Sequence, residues 1–419
     1  MSTVSKYASW AKALYWTRGA LLFASIIGLS QPVLAFELSG IPMTPAQWQA
    51  KGDVSFQHDQ AKQDILVVNQ GYAELKNINF SNGTIEFDTK FVGGRIAGIT
   101  FRQHDDVADA LYFRPSADCA VSEECIQYMP TAHHLFEWDL YGQYQTHAPI
   151  NPDGWNHIKL VLSGARMNVF INGTRSPTLA VGTLVGGFPD GSIRLHGPAS
   201  YAHLSIAPNV VDGLPAVASS DPAKGDLRYV RHWLASKPFV MPSRMDATLQ
   251  ENTGIDPVYS SMPKQLASWK PIALDPSGLV NLTRWYGDAQ TGQAIAGIWL
   301  KTTINADHDQ IKHVDIGWTR EVWVFVNGKL AFQSKNLYGI KGASTERADA
   351  CPLPMDHSIW RCKRVQIKLS WLSTITSPAA SSIGDGVWRC GWQIPMAFVR
   401  LAVLSRTQTP QVHVESIRG

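Results

Sequence analysis

Residues 155–174, WNHIKLVLSGARMNVFINGT, contain two strand-forming segments, each followed by turn residues. Hydrophobic side chains alternate over 158–162, which is the period-two pattern of a half-buried strand, and Ser163-Gly164 then permits a turn. A second apolar run over 167–171 ends at Asn172-Gly173, a dipeptide typical of a tight β-hairpin. The stretch therefore predicts an antiparallel meander of strands.

The same pattern recurs far along the chain. Residues 322–329, VWVFVNGK, again join a β-branched and aromatic run to an Asn-Gly turn. Short strand-like segments fill the first half of the chain, and no amphipathic helix of useful length separates them. We therefore predict an all-β protein of two antiparallel β-sandwich (jelly-roll) domains, 36–207 and 228–347, joined by a Pro-, Ala- and Ser-rich linker over 208–227.

Composition narrows the function classes. Hydrophobic residues make up 45% of the 419 residues and charged residues 17%, which is ordinary for a globular chain. The formal net charge is only +3, and the basic residues are scattered rather than clustered. This distribution lacks the electrostatic footprint of a nucleic-acid-binding protein, so we expect no nucleic-acid partner.

The N-terminus has the three parts of a secretory signal peptide. Residues 1–18 carry basic residues and no acidic one, 19–29 form an apolar run, and Val33-Leu34-Ala35 supplies small residues for cleavage. The apolar run is shorter than the roughly 20 residues that a membrane-spanning helix needs. We predict that 1–35 is removed, that no membrane span remains, and that the mature protein is periplasmic or secreted.

Export would place the cysteines in an oxidising compartment. Cys119 and Cys125 flank a short loop and are predicted to form a disulfide. The other cysteines, Cys351, Cys362 and Cys390, form an odd set in one region. No zinc-type cysteine pair and no phosphate-binding loop is found in the sequence, and we expect no cofactor.

Several short motifs, in their order along the chain, resemble a concanavalin A-like (laminin G-type) sandwich. They are NGTIEF at 82–87, GITFR at 98–102, YFRP at 112–115, Gln127-Tyr128, the 155–174 meander and GSIRL at 191–195. Domains of this kind occur in lectins, in family-sixteen-type glucanases and in the 3-keto-disaccharide hydrolase group. The resemblance therefore implies a carbohydrate-related role without choosing between binding and catalysis.

The second domain is similar to the galactose-binding-like jelly roll that accompanies many glycoside hydrolases. The similarity rests on strand-like segments at 229–233, 269–272, 278–282 and 295–304, followed by the 322–329 hairpin and an aromatic residue near Phe332. It implies a second β-sandwich whose last strands follow a Lys-Gly-x-Asn-x-Val pattern and a Gly-Trp-Gly turn.

Residues 348–419 depart from that pattern. Strand alternation fades, unpaired cysteines appear and tryptophans accumulate. One shifted reading frame permits Lys-Gly-x-Asn-x-Val across 363–376 and Gly-Trp-Gly across 384–399, in the order that the resemblance implies. We interpret 348–419 as the product of a frameshift or sequencing error, which would truncate the second domain and expose a sheet edge.

Aromatic and planar polar residues concentrate between positions 111 and 144. Aromatic faces cover the C–H surfaces of sugars, and Arg or Gln side chains satisfy their hydroxyl groups. We therefore predict that the first domain binds a glycan or polysaccharide. The candidate ligand-binding residues are Tyr112, Arg114, Gln127, Tyr128, Trp138 and Tyr144.

A glycoside hydrolase acting on a polysaccharide or a 3-keto-disaccharide is the alternative. A retaining enzyme needs two carboxyl groups about 5–5.5 Å apart, and alternate residues of a strand share one face. Glu86 with Asp88, and Glu137 with Asp139, have that spacing, but neither pair is followed by the further glutamate of the glucanase signature. The sequence therefore favours a binding protein, and a structural surface protein is the third possibility.

A metal site is the remaining possibility for this segment. His133-His134 with Glu137 has spacing that suits a metal only on a helix. Pro130 and Leu135-Phe136 instead favour a loop that enters a strand, where adjacent imidazoles point apart. We predict no metal site there.

Overall fold

The computed structural model describes residues 40–60, 63–133, 135–138, 140–221, 223–240, 262–287, 296–305, 310–336, 356–362, 367–375 and 398–404. The predicted signal peptide, 1–35, lies outside these residues. The described chain is almost entirely β, which confirms the predicted all-β sandwich class. Among the described residues, no helix is long and apolar enough to cross a membrane.

Residues 48–208 contain thirteen strands connected in one hydrogen-bonded path. We call these residues the first domain and residues 233–404 the second domain, and the predicted boundaries of 36–207 and 228–347 stay predictions. Their order along that path is β11-β10-β9-β3-β13-β2-β12-β4-β5-β6-β7, with β1 on β2 and β8 on β6. The strands are β1 (Trp48–His58), β2 (Asp64–Leu75), β3 (Gly83–Phe91), β4 (Ala97–His104), β5 (Val107–Phe113), β6 (Ile126–Ala132), β7 (Leu135–Phe136), β8 (Gln145–Thr146), β9 (Trp155–Ser163), β10 (Arg166–Ile171), β11 (Leu179–Val181), β12 (Ser192–His196) and β13 (Ala199–Pro208).

Strand β2 belongs to both layers of the sandwich. Residues 66–68 pair with β13, whereas residues 72–74 pair with β12. Between these parts Asn69 is an extra residue in the pairing with β1, and Gly71 has a φ of +89°. A Cβ at Gly71 would lie 2.1 Å from the carbonyl oxygen of Lys51, so glycine is required where the strand crosses between layers.

The meander predicted over 155–174 is confirmed. Strand β9 pairs with β10, and β10 pairs with β11, all antiparallel. Asn172 and Gly173 both adopt positive φ, 52° and 72°, as a tight turn after β10 requires. The alternating residues Leu160, Leu162 and Val169 are fully buried in the core between the layers. Each such side chain stabilises the fold by about 1.5–3 kcal/mol.

The second domain is built from two further sheets. One has the order β16-β14-β18-β23-β20-β21 with β15 on β18, and the other has the order β17-β24-β19-β22. The strands are β14 (Trp233–Ser236), β15 (Phe239–Val240), β16 (Trp269–Ile272), β17 (Val280–Asn281), β18 (Ala296–Ile304), β19 (Gln310–Trp318), β20 (Arg320–Val326), β21 (Lys329–Asn336), β22 (Asp356–Cys362), β23 (Ile367–Ile375) and β24 (Phe398–Leu404). A short α-helix, α1 (Leu282–Tyr286), directly follows β17.

The hairpin predicted over 322–329 is also confirmed. Strands β20 and β21 pair antiparallel, and Asn327 and Gly328 have φ of 49° and 81°. Val322 and Val324 point into a core with Ile298 and Leu300 of β18.

The predicted aberrant tail is only partly described. The backbones of β22, β23 and β24 pair with strands of the second domain, and β23 lies between β18 and β20. The rest of 348–419 lies outside the described residues, so the frameshift stays a prediction. Nucleotide sequence around the codon for Arg347 that cannot encode the alternative strings would refute it.

Between the last strand of the first domain and the first of the second, residues 209–232 form no named strand. This segment, which includes the predicted linker, nevertheless lies against the first domain. Ala165 N donates to Ala216 O at 2.8 Å, and Ser219 N donates to Gly182 O at 2.7 Å. The composition predicted that this segment connects the two domains, and these hydrogen bonds hold part of it against the first domain.

Candidate functional site

The outer face of β2, β12, β4, β5 and β6 carries a row of directly opposed residues. Tyr72 of β2 lies opposite His196 of β12, which lies opposite Gly98 of β4. Gly98 lies opposite Tyr112 of β5, and Tyr112 lies opposite Gln127 of β6. We call this side of the layer, away from the core, the network face.

One half of the network face is a hydrogen-bonded group around Arg114, which directly follows β5. Its Nη2 donates to the hydroxyl of Tyr112 and, at 3.1 Å, to Oε1 of Gln127. Its Nη1 donates to Oε1 of Gln145 at 3.4 Å. Gln127 Nε2 in turn donates to the carbonyl oxygen of Trp138 at 2.6 Å. These contacts hold the planar polar groups in one arrangement before any ligand binds.

The other half is centred on Tyr72. The Arg194 guanidinium lies 4.7 Å from the centre of the Tyr72 ring, and its Nε donates to Glu74 Oε2 at 2.6 Å. The His196 ring centre lies 5.6 Å from that of Tyr72, and His196 Nε2 lies 3.1 Å from Thr100 Oγ1. Burial lowers the pKa of His196 to about 4, and the nearby charge of Arg194 lowers it further. The imidazole is therefore neutral at physiological pH.

Aromatic side chains from the β7 segment flank this row. Phe136 and Trp138 pack against an apolar group formed by Ala110, Tyr112 and Met129. Both remain partly exposed, as do Tyr72, Arg194 and His196. The network face thus combines aromatic walls with fixed, planar hydrogen-bonding groups.

Gly98 keeps the middle of this row free of a side chain. A Cβ at that position would lie 2.5 Å from the carbonyl oxygen of Leu111 and 3.1 Å from the Tyr112 Cβ. Any larger residue would push the Tyr112 strand away and disturb the group around Arg114.

Two of the six predicted ligand-binding residues do not lie on the network face. Tyr128 is fully buried in the core between the layers, and its hydroxyl donates to Asp109 Oδ1 at 2.6 Å. Tyr144 packs beside it, with ring centres 5.6 Å apart, and accepts a hydrogen bond from Thr183 N at 3.1 Å. Both tyrosines therefore support the core rather than the network face.

The structure brings Tyr112, Arg114, Gln127 and Trp138 together as one group. It also adds Tyr72, Arg194 and His196, which sequence analysis did not select. Arg194 belongs to the GSIRL motif, which was a signal for the fold. Its contact with Tyr72 depends on pairing between strands far apart in sequence, and no local pattern reports that pairing.

The predicted disulfide is confirmed and lies beside the network face. The Cys119 and Cys125 Cα atoms are 5.3 Å apart, and the sulfurs are bonded. Arg114 N donates to Cys125 O, and Ala148 N donates to Cys119 O, both at 2.8 Å. The closed loop thus anchors the backbone of Arg114.

The carboxylates Glu86 and Asp88 lie on the outer face of the opposite layer. Asp88 lies between two histidines, with Oδ1 at 2.8 Å from His157 Nδ1 and Oδ2 at 2.6 Å from His203 Nδ1. His157 Nε2 lies 3.3 Å from Glu86 Oε2. We call these four residues the carboxylate face. All four side chains are between a quarter and a half exposed.

A strand irregularity brings His203 to this cluster. The pairing of β13 with β3 shifts between Ala202 and Ser205, and His203 has a φ of +53°. The resulting bulge turns the imidazole toward Asp88.

Glu137 is buried against the second domain. Its Oε2 accepts from Asn281 Nδ2 at 2.9 Å and lies 3.4 Å from Arg284 Nη2. Its Oε1 is buried and has no hydrogen-bond partner among the described residues. Burial raises the pKa of Glu137 to about 7, against the opposing effect of Arg284. This carboxyl forms part of the contact between the domains.

The same contact contains a second carboxylate. Tyr141 donates to Asp275 Oδ2 at 2.5 Å, and Asn281 Nδ2 donates to the same oxygen at 3.1 Å. Asn281 also caps helix α1 by accepting from Arg284 N at 3.0 Å. Asp139 and His134, two of the residues considered from sequence, lie outside the described residues.

The described part of the chain contains no group of three or more His, Cys, Asp or Glu side chains suited to a metal ion. The His and carboxylate side chains of the carboxylate face are instead paired with one another.

No family model matches the sequence, and no curated protein matches it. Solved structures with similarity include the carbohydrate binding module CBM66 from Bacillus subtilis, at 12% identity and a TM-score of 0.26, covering 38% of this chain and 91% of that one. A Bacillus subtilis protein of unknown function with a galectin-like fold matches at 16% identity and 0.29, covering 38% and 88%.

The Bacillus licheniformis beta-glucanase is a further match, at 9% identity and a TM-score of 0.29, covering 43% of this chain and all of that one. At these identities and scores we carry no ligand, reaction or site residue from these proteins to this chain.

Proposed function

We propose that this protein is an exported glycan-binding protein whose ligand lies on the network face. The supporting observation is the arrangement of Tyr72, Phe136 and Trp138 around planar groups that are already hydrogen-bonded to one another. Aromatic rings cover the C–H surface of a sugar, and the partly exposed Arg114, held in place by the buried Gln127, meets its hydroxyls at little entropic cost.

The charges of the network face point to a neutral sugar. Arg194 is paired with Glu74 at 2.6 Å, so its charge is balanced on the face itself. Arg114 lies 3.9 Å from Glu124 Oε2 and directs most of its N–H groups to neutral oxygens. Hydroxyl groups can add to such an arrangement without leaving a buried charge unpaired.

A glycoside hydrolase is the alternative proposal. Its carboxylates would come from Glu86 and Asp88, because His157 contacts both of them and could position a proton. The carboxylate face lacks the aromatic walls of the network face among its four residues. Release of reducing sugar from a polysaccharide, abolished by Asp88→Asn and unaffected by Trp138→Ala, would favour this alternative.

Substitution of Trp138 tests the binding proposal. We expect Trp138→Ala to weaken glycan binding by about 1–3 kcal/mol, because a large aromatic contact is lost. The measurement is calorimetric titration with a neutral oligosaccharide that a glycan array of the whole protein has identified. Trp155→Ala is the matched control, since Trp155 is 42% exposed at the start of β9 in the other layer.

The melting temperature of each variant completes the test. Retained folding with weakened binding supports a binding role for Trp138. Equal binding by Trp138→Ala and the parent, or an early melt with no specific loss of affinity, would contradict it.

A further inference from the structure

The second domain contains a cavity of about 750 Å³ that the proposed glycan site does not use. It lies beside strands β14, β16 and β18 and is bounded on one side by residues 262–264. Its apolar lining consists of Trp233, Leu234, Met262, Pro263, Pro271 and Ile272. Its polar lining consists of Arg231, His232, Lys264, Lys301, Thr302 and Thr303.

All the charged side chains among the described lining residues are positive. Arg231, Lys264 and Lys301 are cations, and none of the lining residues, all in the described part of the chain, is Asp or Glu. Cations gathered in a cleft with apolar walls raise the local concentration of anions. The lining of the cavity therefore differs from the network face, which includes the carboxylate of Glu74 beside Arg194; the carboxylate that pairs with Arg231, Asp221, is not among the lining residues.

The two cations nearest the strands are held in place. Lys301 Nζ lies 3.9 Å from the centre of a Trp269 ring, which fixes its position on β18. Arg231 Nη2 lies 3.4 Å from Asp221 Oδ2. The other oxygen of Asp221 already accepts from Ser277 N at 2.8 Å and from the backbone N–H of residue 223 at 2.9 Å.

Arg231 has an unused donor. Its Nη1 is buried and has no hydrogen-bond partner among the described residues. A buried guanidinium N–H without an acceptor is costly, so a ligand that supplied an acceptor oxygen would gain that hydrogen bond. Guanidinium groups match the two oxygens of a carboxylate or the oxygens of a sulfate.

We propose that this cavity binds an acidic saccharide, one that carries a carboxylate or a sulfate group. The anion would meet Arg231 and Lys301, while Leu234 and Pro271 would cover one side of the sugar. A volume of about 750 Å³ lies within the range of small-molecule sites, roughly 300–1,000 Å³. The chain would then hold two saccharide sites of different charge preference, one in each domain.

The test uses the whole protein and calorimetric titration with three probes. These are a uronate disaccharide, a sulfated disaccharide and a neutral disaccharide with the same linkage. We expect at least one acidic probe to bind at least tenfold more tightly than the neutral one, with affinity that falls as salt is raised. Comparison of the uronate and sulfated probes shows whether the site recognises a carboxylate or a sulfate.

Charge-removing variants locate the site. Arg231→Gln and Lys301→Gln should each weaken the acidic probe at least tenfold, and Lys264→Gln, at an exposed position, should weaken it less. Lys270→Gln is the matched control, because Lys270 is exposed on β16 but does not line the cavity. Trp138→Ala should leave this binding unchanged, which separates it from the glycan site of the first domain.

Equal affinity of the Trp138→Ala protein, in which the neutral-glycan site is weakened, for the acidic and neutral probes would overturn the proposal. So would no acidic binding at all, or binding that Arg231→Gln, Lys301→Gln and Lys264→Gln leave intact. If Arg231→Gln fails to fold, the Lys264→Gln variant and the salt dependence of binding still test the proposal. Lys264 is exposed, so its substitution does not perturb the core.

Discussion

The network face and the carboxylate face lie on opposite outer sides of one sandwich, and both arise from the alternation of strand residues. On the carboxylate face, ionisable side chains stand in solvent and pair with one another through Asp88. On the network face, Tyr112 and Gln127 are almost fully buried and aromatic rings surround them. The same local pattern can therefore yield either a solvated cluster of charges or a preorganised binding surface.

The two faces differ in whether other side chains cover their strands. The β7 segment folds over the network face and brings Phe136 and Trp138 onto it. Gln127 is fully buried, so its hydrogen bonds with Arg114 and with the Trp138 carbonyl constrain the geometry more strongly than they would in water. On the carboxylate face Glu86 keeps a third of its surface in water, so solvent screens its charge.

Titration of His196 gives the largest expected contrast between the faces. Its pKa is about 4 in the folded protein and near 6.5 in the unfolded chain, so the unfolded chain binds more protons between those values. Stability should therefore fall as the pH is lowered from 6.5 through 4, by roughly 3 kcal/mol for this group. Denaturant unfolding of the parent and of His196→Gln across this range measures the effect.

His157→Gln is the matched control on the carboxylate face. His157 is half exposed, and its substitution controls for the loss of a histidine side chain as such. An unchanged pH dependence in His196→Gln would show that the network face is more hydrated than the structure indicates.

Titration of Glu137 should change the free energy of unfolding by a similar amount, but in the opposite direction with pH. The folded protein holds its proton up to a pH of about 7, whereas the unfolded chain releases it near 4.5. Stability should therefore fall as the pH rises from 4.5 through 7, by roughly 3 kcal/mol. Glu137→Gln should match the parent below pH 4.5 and be more stable than the parent above pH 7.

The two groups oppose each other between pH 4.5 and 6.5. The parent should consequently show little net change from them, while His196→Gln and Glu137→Gln should reveal slopes of opposite direction. The double variant should return to a nearly flat profile. Slopes of the same direction in the two single variants would contradict both pKa assignments. Glu86→Gln, at a solvated position, controls for loss of a carboxylate.

The smallest expected effect is a change in glycan affinity, compared between a substitution on the network face and one on the carboxylate face. Arg194→Ala should weaken binding of the neutral glycan by roughly 1.5 kcal/mol, about tenfold, because the hydrogen bonds of a charged group are lost. Asp88→Ala should leave binding unchanged. Arg194→Lys keeps the charge without the planar fork and should recover only part of the affinity. A larger loss from Asp88→Ala than from Arg194→Ala would place the ligand on the carboxylate face.

Local signals were sufficient for much of the fold. The meander at 155–174, the hairpin at 322–329 and the closely spaced Cys119 and Cys125 were all predicted from neighbouring residues. Turn chemistry and period-two burial act within a few residues, and a disulfide across a short loop needs little tertiary information. The same reasoning found Tyr112, Arg114, Gln127 and Trp138 as a cluster in sequence that also lies together in space.

The sequence by itself determined that strands alternate, where tight turns lie and which short segment concentrates planar side chains. Only the tertiary structure decided which side of each strand faces the core. Tyr128 turned inward, and Tyr72 and Arg194 joined the network face from distant strands. The extra residue at Asn69 and the bend at Gly71 reverse the alternation within β2, so that Val68 and Ala73 both point into the core. A register set by pairing between distant strands has no local sequence pattern, because one inserted residue exchanges the two faces.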